Sequence, residues 1–306
     1  MINLIKRKLE SLFSGYKSSL SSDLENIKVS QGLILNKLNL GNSTPLILDD
    51  ITKSEFKIFS QWGDDGIISF LVSYLEIKDK RFVEFGVENY TECNTKFLLI
   101  SQNWRGLIMD GSNKNMTSLR TSDLYWKFDI TAVDVFVTAE NIDSLLKDNG
   151  FSGEIGILHI DIDGNDYWIW KSVTVANPII VIVEYNSIFG FEQPWTIPYN
   201  PSFVRTEEHY SNLYYGTSLL SICDLAEEKG YHFIGCNSNG NNAYFVRKDW
   251  IKGLRVVSPQ DGYIESKFRE ARDENGTLTF VTGSERLNQL RGKKIHNTRT
   301  NSLEDI

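Results

Sequence analysis

The chain has 306 residues, a formal net charge of -8 and a hydrophobic fraction of 41%. This length supports one large domain, and the negative charge excludes nucleic acid as the expected partner, because a phosphate backbone requires a basic face. No stretch approaches the ~20 apolar residues of a membrane span. The three cysteines show no C-x-x-C spacing, so neither a disulfide framework nor a thiolate zinc site is indicated, and a reducing cytoplasm is expected.

Residues 1–45 form a candidate helical extension. Apolar residues recur at helical spacing from Ile2 to Leu40, interrupted by Gly15 and by the serine-rich residues 18–22. We therefore expect one or two amphipathic helices, which either cover a flank of the domain or pair with a second copy of the chain. The polar face is not strongly basic, which disfavours a role at a membrane surface.

Beyond residue 45, strand patterns alternate with helix patterns. Strands are predicted at 82–85, 106–109, 126–128, 155–160, 179–183, 232–234 and 243–246, and helices at 67–75, 95–101, 115–119, 141–146, 166–171 and 218–229. This alternation indicates an α/β fold with a parallel, doubly wound sheet. We assign residues 46–254 to this domain, residues 186–215 to an aromatic lid over the active site, and residues 255–306 to a C-terminal extension.

The first predicted strand ends in Phe82-Val-Glu-Phe-Gly-Val-Glu88. Gly86 permits a tight turn and a close backbone approach. A dinucleotide site requires G-x-G-x-x-G, because the pyrophosphate must lie against a helix N-terminus. This turn has a single glycine beside carboxylates, which suit a positively charged adenosine cofactor such as S-adenosylmethionine. Glu84 and Gly86 are therefore candidate donor contacts, and a buried strand that ends in a structural glycine is the alternative.

Acidic residues also follow the next two predicted strands, where ligands bind in open α/β sheets. Asp110 is expected to accept both ribose hydroxyls of an adenosine, or else to cap a helix. Asp129 is expected to meet the adenine amino group, or else to form an Asx-turn. Upstream, Gln61 and Asp65 lie in Ser60-Gln-Trp-Gly-Asp-Asp-Gly66 and are expected to reach the cofactor, with helix capping as the alternative for Asp65.

The fourth and fifth predicted strands end in a further group of oxygen ligands. Asp161, Asp163 and Asp166 follow the fourth strand and repel one another unless a cation or a shared proton intervenes. Glu184 and Asn186 end the fifth. Asp161, Glu184 and Asn186 then either hold Mg²⁺ or Mn²⁺, or an aspartate acts directly as general base on a hydroxyl. An amino-group substrate held by these carboxylates is a third interpretation.

Two histidines bear on the chemistry. His159 lies within an apolar strand and is interpreted as a core residue rather than a base. His209 lies in the predicted lid. The catalytic candidates are therefore His209 and the three aspartates of the 161–166 loop, Asp161, Asp163 and Asp166.

The order of these motifs resembles class I S-adenosylmethionine-dependent methyltransferases, and within them the chain is similar to the FkbM-like group. The motifs are Ser60-Gln-Trp-Gly-Asp-Asp-Gly66, Val83-Glu-Phe-Gly-Val87, Glu92-Cys-Asn-Thr95, Asp110-Gly-Ser112, Asp161-Ile-Asp-Gly-Asn-Asp-Tyr-Trp168 and Val183-Glu-Tyr-Asn186. The resemblance runs from about Phe56 to Arg247. The chain departs from the group in its first motif, where the usual G-x-G is reduced to Gly86.

The resemblance implies a seven-stranded Rossmann-like sheet with an antiparallel last strand. It places the donor's methionine end near Glu84 and Gly86 and its ribose on Asp110, and it adds further donor contacts at Asn94, Thr95, Gly111 and Ser112. It also implies transfer to an oxygen of a sugar or natural product. Some sugar O-methyltransferases of this kind bind a divalent ion through acids that match Asp161, Asp163, Glu184 and Asn186.

The sequence thus predicts an S-adenosylmethionine-dependent O-methyltransferase. Its expected acceptor is a sugar hydroxyl, on a nucleotide-activated sugar for bacterial capsule or lipopolysaccharide. The alternatives are an N-methyltransferase on an amino or phosphoramidate group, a nicotinamide-dependent oxidoreductase, which the missing glycines disfavour, and a non-catalytic carbohydrate-binding module. A homo-oligomer through the N-terminal helices is also expected.

Overall fold

The computed structural model describes the backbone of residues 2–306 and the side chains of residues 20 and 22–306. The helices are α1 (Ile2–Asn39), α2 (Thr44–Asp49), α3 (Asp64–Tyr74), α4 (Lys96–Gln102), α5 (Asn113–Arg120), α6 (Asp123–Lys127), α7 (Ile142–Asp148), α8 (Asp166–Ser172), α9 (Arg205–Glu208), α10 (Leu219–Glu228), α11 (Pro259–Gly262) and α12 (Ser284–Asn288). The strands are β1 (Arg81–Phe85), β2 (Arg105–Asp110), β3 (Ile130–Asp134), β4 (Gly153–Ile160), β5 (Ala176–Glu184), β6 (Trp195–Thr196), β7 (Tyr231–Cys236), β8 (Asn242–Arg247), β9 (Lys294–Asn297) and β10 (Ser302–Asp305).

A seven-stranded sheet organises the domain, in the order β3-β2-β1-β4-β5-β8-β7. The pairs from β3 to β5 are parallel, whereas β8 runs antiparallel to both of its neighbours. This confirms the predicted α/β fold and the antiparallel last strand. The chain order reverses direction across the sheet between β1 and β4, and a ligand site is expected beside the carboxyl ends of these two strands.

Apolar side chains alternate between the two faces of this sheet because successive residues of a strand point to opposite sides. In β1, Phe82 belongs to a core cluster shared with α3 and α4, whereas Val83 and Phe85 belong to a second cluster shared with α7, α8 and α10. Both faces are therefore covered by helices, as in doubly wound folds. The central strands are buried on both sides, which explains their continuous apolar runs.

A second, three-stranded sheet joins the predicted lid to the C-terminal extension. Its order is β10-β9-β6, with antiparallel pairing throughout. A third core cluster lies beside it and combines residues of the lid, such as Ile197 and Phe203, with residues of the extension, such as Leu290 and Ile295. The extension is thus packed against the lid segment over a shared core.

The N-terminal extension forms one long helix, α1, followed by the short α2. Gly15 and the serine-rich patch do not interrupt α1. Near its C-terminus α1 packs on α3 and α4, where Gly32 faces the ring of Phe97 and Asn36 donates a hydrogen bond to Ser73 Oγ at 3.1 Å. None of the helices in the described part of the chain is long and apolar enough to cross a membrane.

The strand predicted at 126–128 is wrong. Residues 123–127 form α6 instead, because Asp123 and Lys127 pair at i,i+4 with 3.0 Å between carboxylate and ammonium, and Trp126 is 73% exposed. The third strand begins at Ile130, where Ile130 and Ala132 alternate into the core. Asp129 consequently precedes this strand rather than following it.

Candidate active site

A cavity of about 380 Å³ opens beside the carboxyl ends of β1, β4 and β5. Its walls are unusually acidic: eight carboxyl groups line it against one guanidinium, that of Arg205, and one imidazole, that of His159. The acids are Asp64, Glu84, Glu88, Glu92, Asp161, Asp163, Glu184 and Glu270. Such a cavity attracts cations and hydrogen-bond donors and repels phosphates.

A second cavity of about 200 Å³ adjoins the first at the ends of β1 and β2. Its apolar wall consists of Met109, Val135, Phe136, Val137, Ile162 and Phe203, and Asp110 and Gly111 lie at its polar end. The two cavities share Gly86, Glu88, Asp161 and Asp163. A flat apolar group with a polar neighbour therefore fits the smaller cavity and can extend into the acidic one.

Glu84 anchors the loop that follows β1. Its buried carboxylate accepts hydrogen bonds from the backbone amides of Asn94 at 2.8 Å and Thr95 at 3.2 Å, from the Thr95 hydroxyl, and from His159 Nδ1 at 3.0 Å. Burial alone would raise the pKa of Glu84, but these hydrogen bonds outweigh it and leave the pKa below its ordinary value. Glu84 lines the acidic cavity as a fixed negative charge.

Gly86 marks the closest approach of two strand ends. It adopts φ +66°, and a Cβ at this position would lie 1.7 Å from the carbonyl oxygen of Asp161. Only glycine fits here, because both the backbone conformation and the space exclude a side chain. The turn after β1 and the turn after β4 are therefore in close contact where the two cavities meet.

Asp110 ends β2 and organises the turn after it. Its carboxylate accepts hydrogen bonds from the backbone amides of Glu88 and Ser112, each at 2.8 Å. Ser112 itself caps α5, since its hydroxyl accepts from the amide of Asn115 at 3.3 Å. Each carboxylate oxygen of Asp110 keeps a second lone pair for a ligand hydroxyl.

Asp161 and Glu184 lie side by side at the ends of β4 and β5, because Ile160 pairs with Val183 in the parallel register. Burial, followed by the charge of Asp163, raises the pKa of Asp161 to about 7. Burial and the neighbouring aspartates also raise the pKa of Glu184 well above its ordinary value. Glu184 is 93% buried, and its Oε2 has no hydrogen-bond partner within the described residues. The carboxyl groups of Asp161 and Glu184 can therefore hydrogen-bond a ligand or accept a proton.

Arg205, in the predicted lid, closes the acidic cavity. Its Nε donates to the carbonyl of Asn212 at 2.8 Å, and its terminal nitrogens donate to Asp163 and, at 3.5 Å, to Glu270. The guanidinium also lies 3.9 Å from the ring centroid of Tyr215. It thus joins the lid segment, the turn after β4 and the C-terminal extension around one positive charge.

A family model described as a methyltransferase FkbM domain matches residues 52–233, which is more than half of the chain. The chain belongs to the FkbM methyltransferase family. It is therefore an S-adenosylmethionine-dependent methyltransferase. No curated protein sequence matches this FkbM methyltransferase significantly.

Solved structures show weak similarities to the FkbM methyltransferase. The N-terminal domain of EvdMO1 with S-adenosylhomocysteine bound is 11% identical, with 61% of this chain and 80% of that chain covered at a TM-score of 0.40. The O-methyltransferase from Bacillus cereus in complex with S-adenosylhomocysteine is 13% identical, with 72% of this chain and 91% of that chain covered at a TM-score of 0.39. The methyltransferase domain of bacterial CtHen1-C is 13% identical, with 60% of this chain and 98% of that chain covered at a TM-score of 0.39. The family assignment rests on the sequence match alone.

Several predicted donor contacts of the FkbM methyltransferase lie elsewhere. Asp65 lines neither cavity, because its carboxylate is buried and accepts from the amides of residues 58–60 at 2.7 to 2.8 Å. Asp129 lies at the amino end of β3, at the opposite edge of the sheet, beside Arg105 at 3.8 Å. Thr95 is fully buried behind Glu84. Gln61, Glu84, Gly86 and Asn94 line the acidic cavity, and Asp110 and Gly111 line the apolar one.

Two predicted catalytic residues also lie outside the cavities of the FkbM methyltransferase. His209 Nδ1 hydrogen-bonds Ser211 Oγ at 2.7 Å, and its ring packs on Tyr210. Asp166 is fully buried and accepts from the amides of Ile162 at 2.9 Å and Gly164 at 3.0 Å, so it shapes the turn rather than meeting a substrate. Of the four catalytic candidates, Asp161 and Asp163 line the walls.

The predicted metal ligands do not fit. Asn186 is buried and lines neither cavity: Nδ2 donates to the carbonyls of Leu213 at 2.9 Å and Tyr215 at 3.0 Å, and Oδ1 accepts from the amide of Ile188 at 3.1 Å. Among the described residues, no group of three histidine, cysteine, aspartate or glutamate side chains is placed to hold a metal ion. The ligand set of Asp161, Glu184 and Asn186 is therefore corrected.

The sequence did not predict the parts of the acidic cavity wall that distant segments contribute. Asp64, at the start of α3, is fully buried and receives hydrogen bonds from Asn237 and Asn242, both at 3.0 Å. Phe268 and Glu270 come from the C-terminal extension. The asparagine-rich run before β8 was the available signal for Asn242, whereas nothing in the extension indicated that it reaches the cavity.

Proposed function

We propose that the chain is an O-methyltransferase that moves the methyl group of S-adenosylmethionine to a hydroxyl of a sugar. The observation that supports this most is the junction of the two cavities at Gly86 and Asp161. A donor in the apolar cavity would present its sulfonium at this junction, and the half-buried carboxylate of Asp161 lies there to accept a hydroxyl proton. Transfer to oxygen requires this combination of an oriented donor and a nearby base.

The donor is placed by complementarity. Its adenine suits the apolar wall around Phe136, and its ribose hydroxyls suit the free lone pairs of Asp110. The sulfonium and the amino group are positively charged, and they would face the acidic cavity past Gly86, near the fixed charge of Glu84. NAD fits less well, since its pyrophosphate would face carboxylates.

Asp161 is the proposed general base. The acceptor oxygen attacks the methyl carbon in line with the sulfur, the carbon–sulfur bond breaks, and S-adenosylhomocysteine leaves with the bonding pair. The hydroxyl proton passes to the carboxylate of Asp161. A pKa of about 7 matches this task, because the group is ionised and still basic near neutral pH.

The acceptor is proposed to be rich in hydroxyl groups, which the cavity carboxylates can accept. For a nucleotide-activated sugar, the sugar ring alone would enter, because the ionised carboxylates of the acidic cavity repel a diphosphate. A place in bacterial surface polysaccharide synthesis rests on the resemblance to the FkbM-like group alone. An amino acceptor is the second candidate, since the unpartnered Oε2 of Glu184 suits an ammonium group.

No divalent ion is included in this proposal. Asn186 is buried outside both cavities, and the guanidinium of Arg205 already lies against Asp163 and supplies positive charge at that end of the acidic cavity. Turnover should therefore persist in excess EDTA. Loss of turnover on chelation, with recovery on adding Mg²⁺, would contradict this part of the proposal.

The proposal is tested first by calorimetric titration of the purified chain with S-adenosylmethionine, S-adenosylhomocysteine and NAD. We expect micromolar binding of the first two and none of NAD. Methyl transfer from labelled donor is then measured on free sugars, amino sugars and nucleotide sugars. Methylated oxygen supports the O-transferase, and methylated nitrogen supports the second candidate. Donor binding without transfer to any of these acceptors would contradict the sugar assignment.

A further inference from the structure

Among the α1 residues whose side chains are described, most of the large apolar ones face away from the domain, which is unexpected for a helix that only covers a flank. The side that packs on the domain is polar or small: Gly32 faces Phe97, Asn36 bonds Ser73, and Asn39 Nδ2 donates to the carbonyl of Ser54 at 2.9 Å. The large apolar side chains point away from the domain. Leu20, Leu24, Ile27, Ile34 and Leu38 are between 47% and 62% exposed.

These exposed residues form one narrow stripe. Their spacing of four, three, seven and four residues follows a heptad, with Gln31 filling the remaining core position between Ile27 and Ile34. At 100° per residue the stripe spans less than a quarter of the circumference, opposite the packed side. A heptad stripe on a free helix face is the surface of a coiled coil.

We propose that this stripe, Leu20 to Leu38, pairs with the same stripe of a second copy in a parallel two-stranded coiled coil. In that arrangement Gln31 faces Gln31 of the other copy and the two amides can hydrogen-bond, which fixes the register. Asp23 lies at a g position and Lys28 at the next e position, so each Asp23 meets a Lys28 across the interface. Both residues are exposed.

An antiparallel pair is disfavoured by the same residues. With the stripe in full overlap, Gln31 would face Ile27 and its amide would be buried without a partner. Lys28 would face Lys28 of the other copy, which is a like-charge contact. The parallel arrangement removes both penalties and is compatible with a two-fold axis along the helices, with one catalytic domain on each side.

The stripe is tested by multi-angle light scattering of the full chain at micromolar concentration. We expect a mass near twice 35.0 kDa, and monomers for the double variant Leu24→Glu, Ile27→Glu. Leu33→Glu is the matched control, because Leu33 is also an exposed leucine of α1 but lies outside the stripe, so this variant stays dimeric. Calorimetric donor binding shows that the catalytic domain of each variant is folded.

The parallel orientation of the two α1 helices is tested separately. Gln31→Cys should form an intermolecular disulfide under mild oxidation, because Gln31 faces its own copy only in the parallel arrangement. Asp23→Lys should weaken the dimer about tenfold, and adding Lys28→Asp should restore it. A monomeric wild type, unaltered dimers of the Leu24→Glu, Ile27→Glu variant, or binding of a monomer to anionic vesicles through the stripe would overturn the proposal.

Discussion

Asp161 is the residue on which the proposed chemistry depends. Its carboxyl lies at the junction of both cavities, and burial raises its pKa to about 7. We expect Asp161→Asn to lower kcat by about 10²- to 10⁴-fold, the usual contribution of a general base, with donor affinity nearly unchanged. Asp129→Asn is the control, since that carboxylate lies at the other edge of the sheet and should leave both quantities unchanged.

The pH profile is a second measurement on the same residue. The base must be ionised to accept a proton, so below pH 7 the rate should fall in proportion to the ionised fraction, and above pH 7 it should level off. Single-turnover rates between pH 5 and 9 measure this. A profile without an inflection near 7 would assign the proton to another acceptor.

At the scale of single residues, the sequence predicted which acids follow the strands but not which hydrogen-bond donors contact those acids. Asp161, Glu184 and Asp110 were predicted because the residue after a parallel strand lies at the ligand edge of the sheet. Whether a carboxylate there is free depends on donors from distant segments, which a single sequence does not reveal. Asp65, Asp166 and Asn186 share the same motifs and are bound internally.

At the scale of elements, the adjacent carboxyl ends of the parallel strands β1 and β4 form the cavity junction. Gly86 and Gly153 both adopt positive φ, but a Cβ on Gly86 would overlap the Asp161 carbonyl, whereas a Cβ on Gly153 would meet nothing within 4 Å. Gly153→Ala should cost about 1 kcal/mol, or roughly 3 °C in Tm. Gly86→Ala should cost at least twice as much and abolish donor binding. Thermal unfolding and calorimetry of both variants check this.

Elements with strong apolar runs were predicted well and short mixed ones were not. The predictions at β1, β2, β4, β5, β7 and β8 were correct within a few residues because these strands are buried on at least one face. Trp126 and Phe128 suggested a strand at 126–128, but a local ion pair and solvent exposure favour the helical turn of residues 123–127. Short strands such as β6 exist only through their distant partner β9.

At the scale of the whole molecule, the C-terminal extension forms part of the wall of the acidic cavity. Glu270 accepts from Arg205 at 3.5 Å and from Asn212 at 3.1 Å, and it is half-buried. Glu270→Gln should raise the acceptor KM about fivefold, because a partly exposed charged contact contributes about 1 kcal/mol, and should leave donor affinity unchanged. Glu274→Gln, an exposed change nearby in the chain, is the control. Equal effects of the two variants would show that Glu270 does not shape the acceptor site.

This contribution was beyond prediction because it depends on long-range packing. The extension is polar in sequence and resembles a solvated tail, and its burial comes from the core that it shares with the lid around Tyr214 and Leu290. The sheet could be predicted from local patterns, whereas the cavity wall required knowledge of which surfaces meet.

Phe268 and Glu270 have a consequence for the newly made chain. A ribosome delivers residues 52–233, which carry the family match, before it delivers the extension. Until Phe268 and Glu270 have been made, the acidic cavity lacks the wall that they contribute. A premature stop just beyond residue 254 would thus remove one wall of the acidic cavity and, with Leu290 and Ile295, part of the core on which the lid packs.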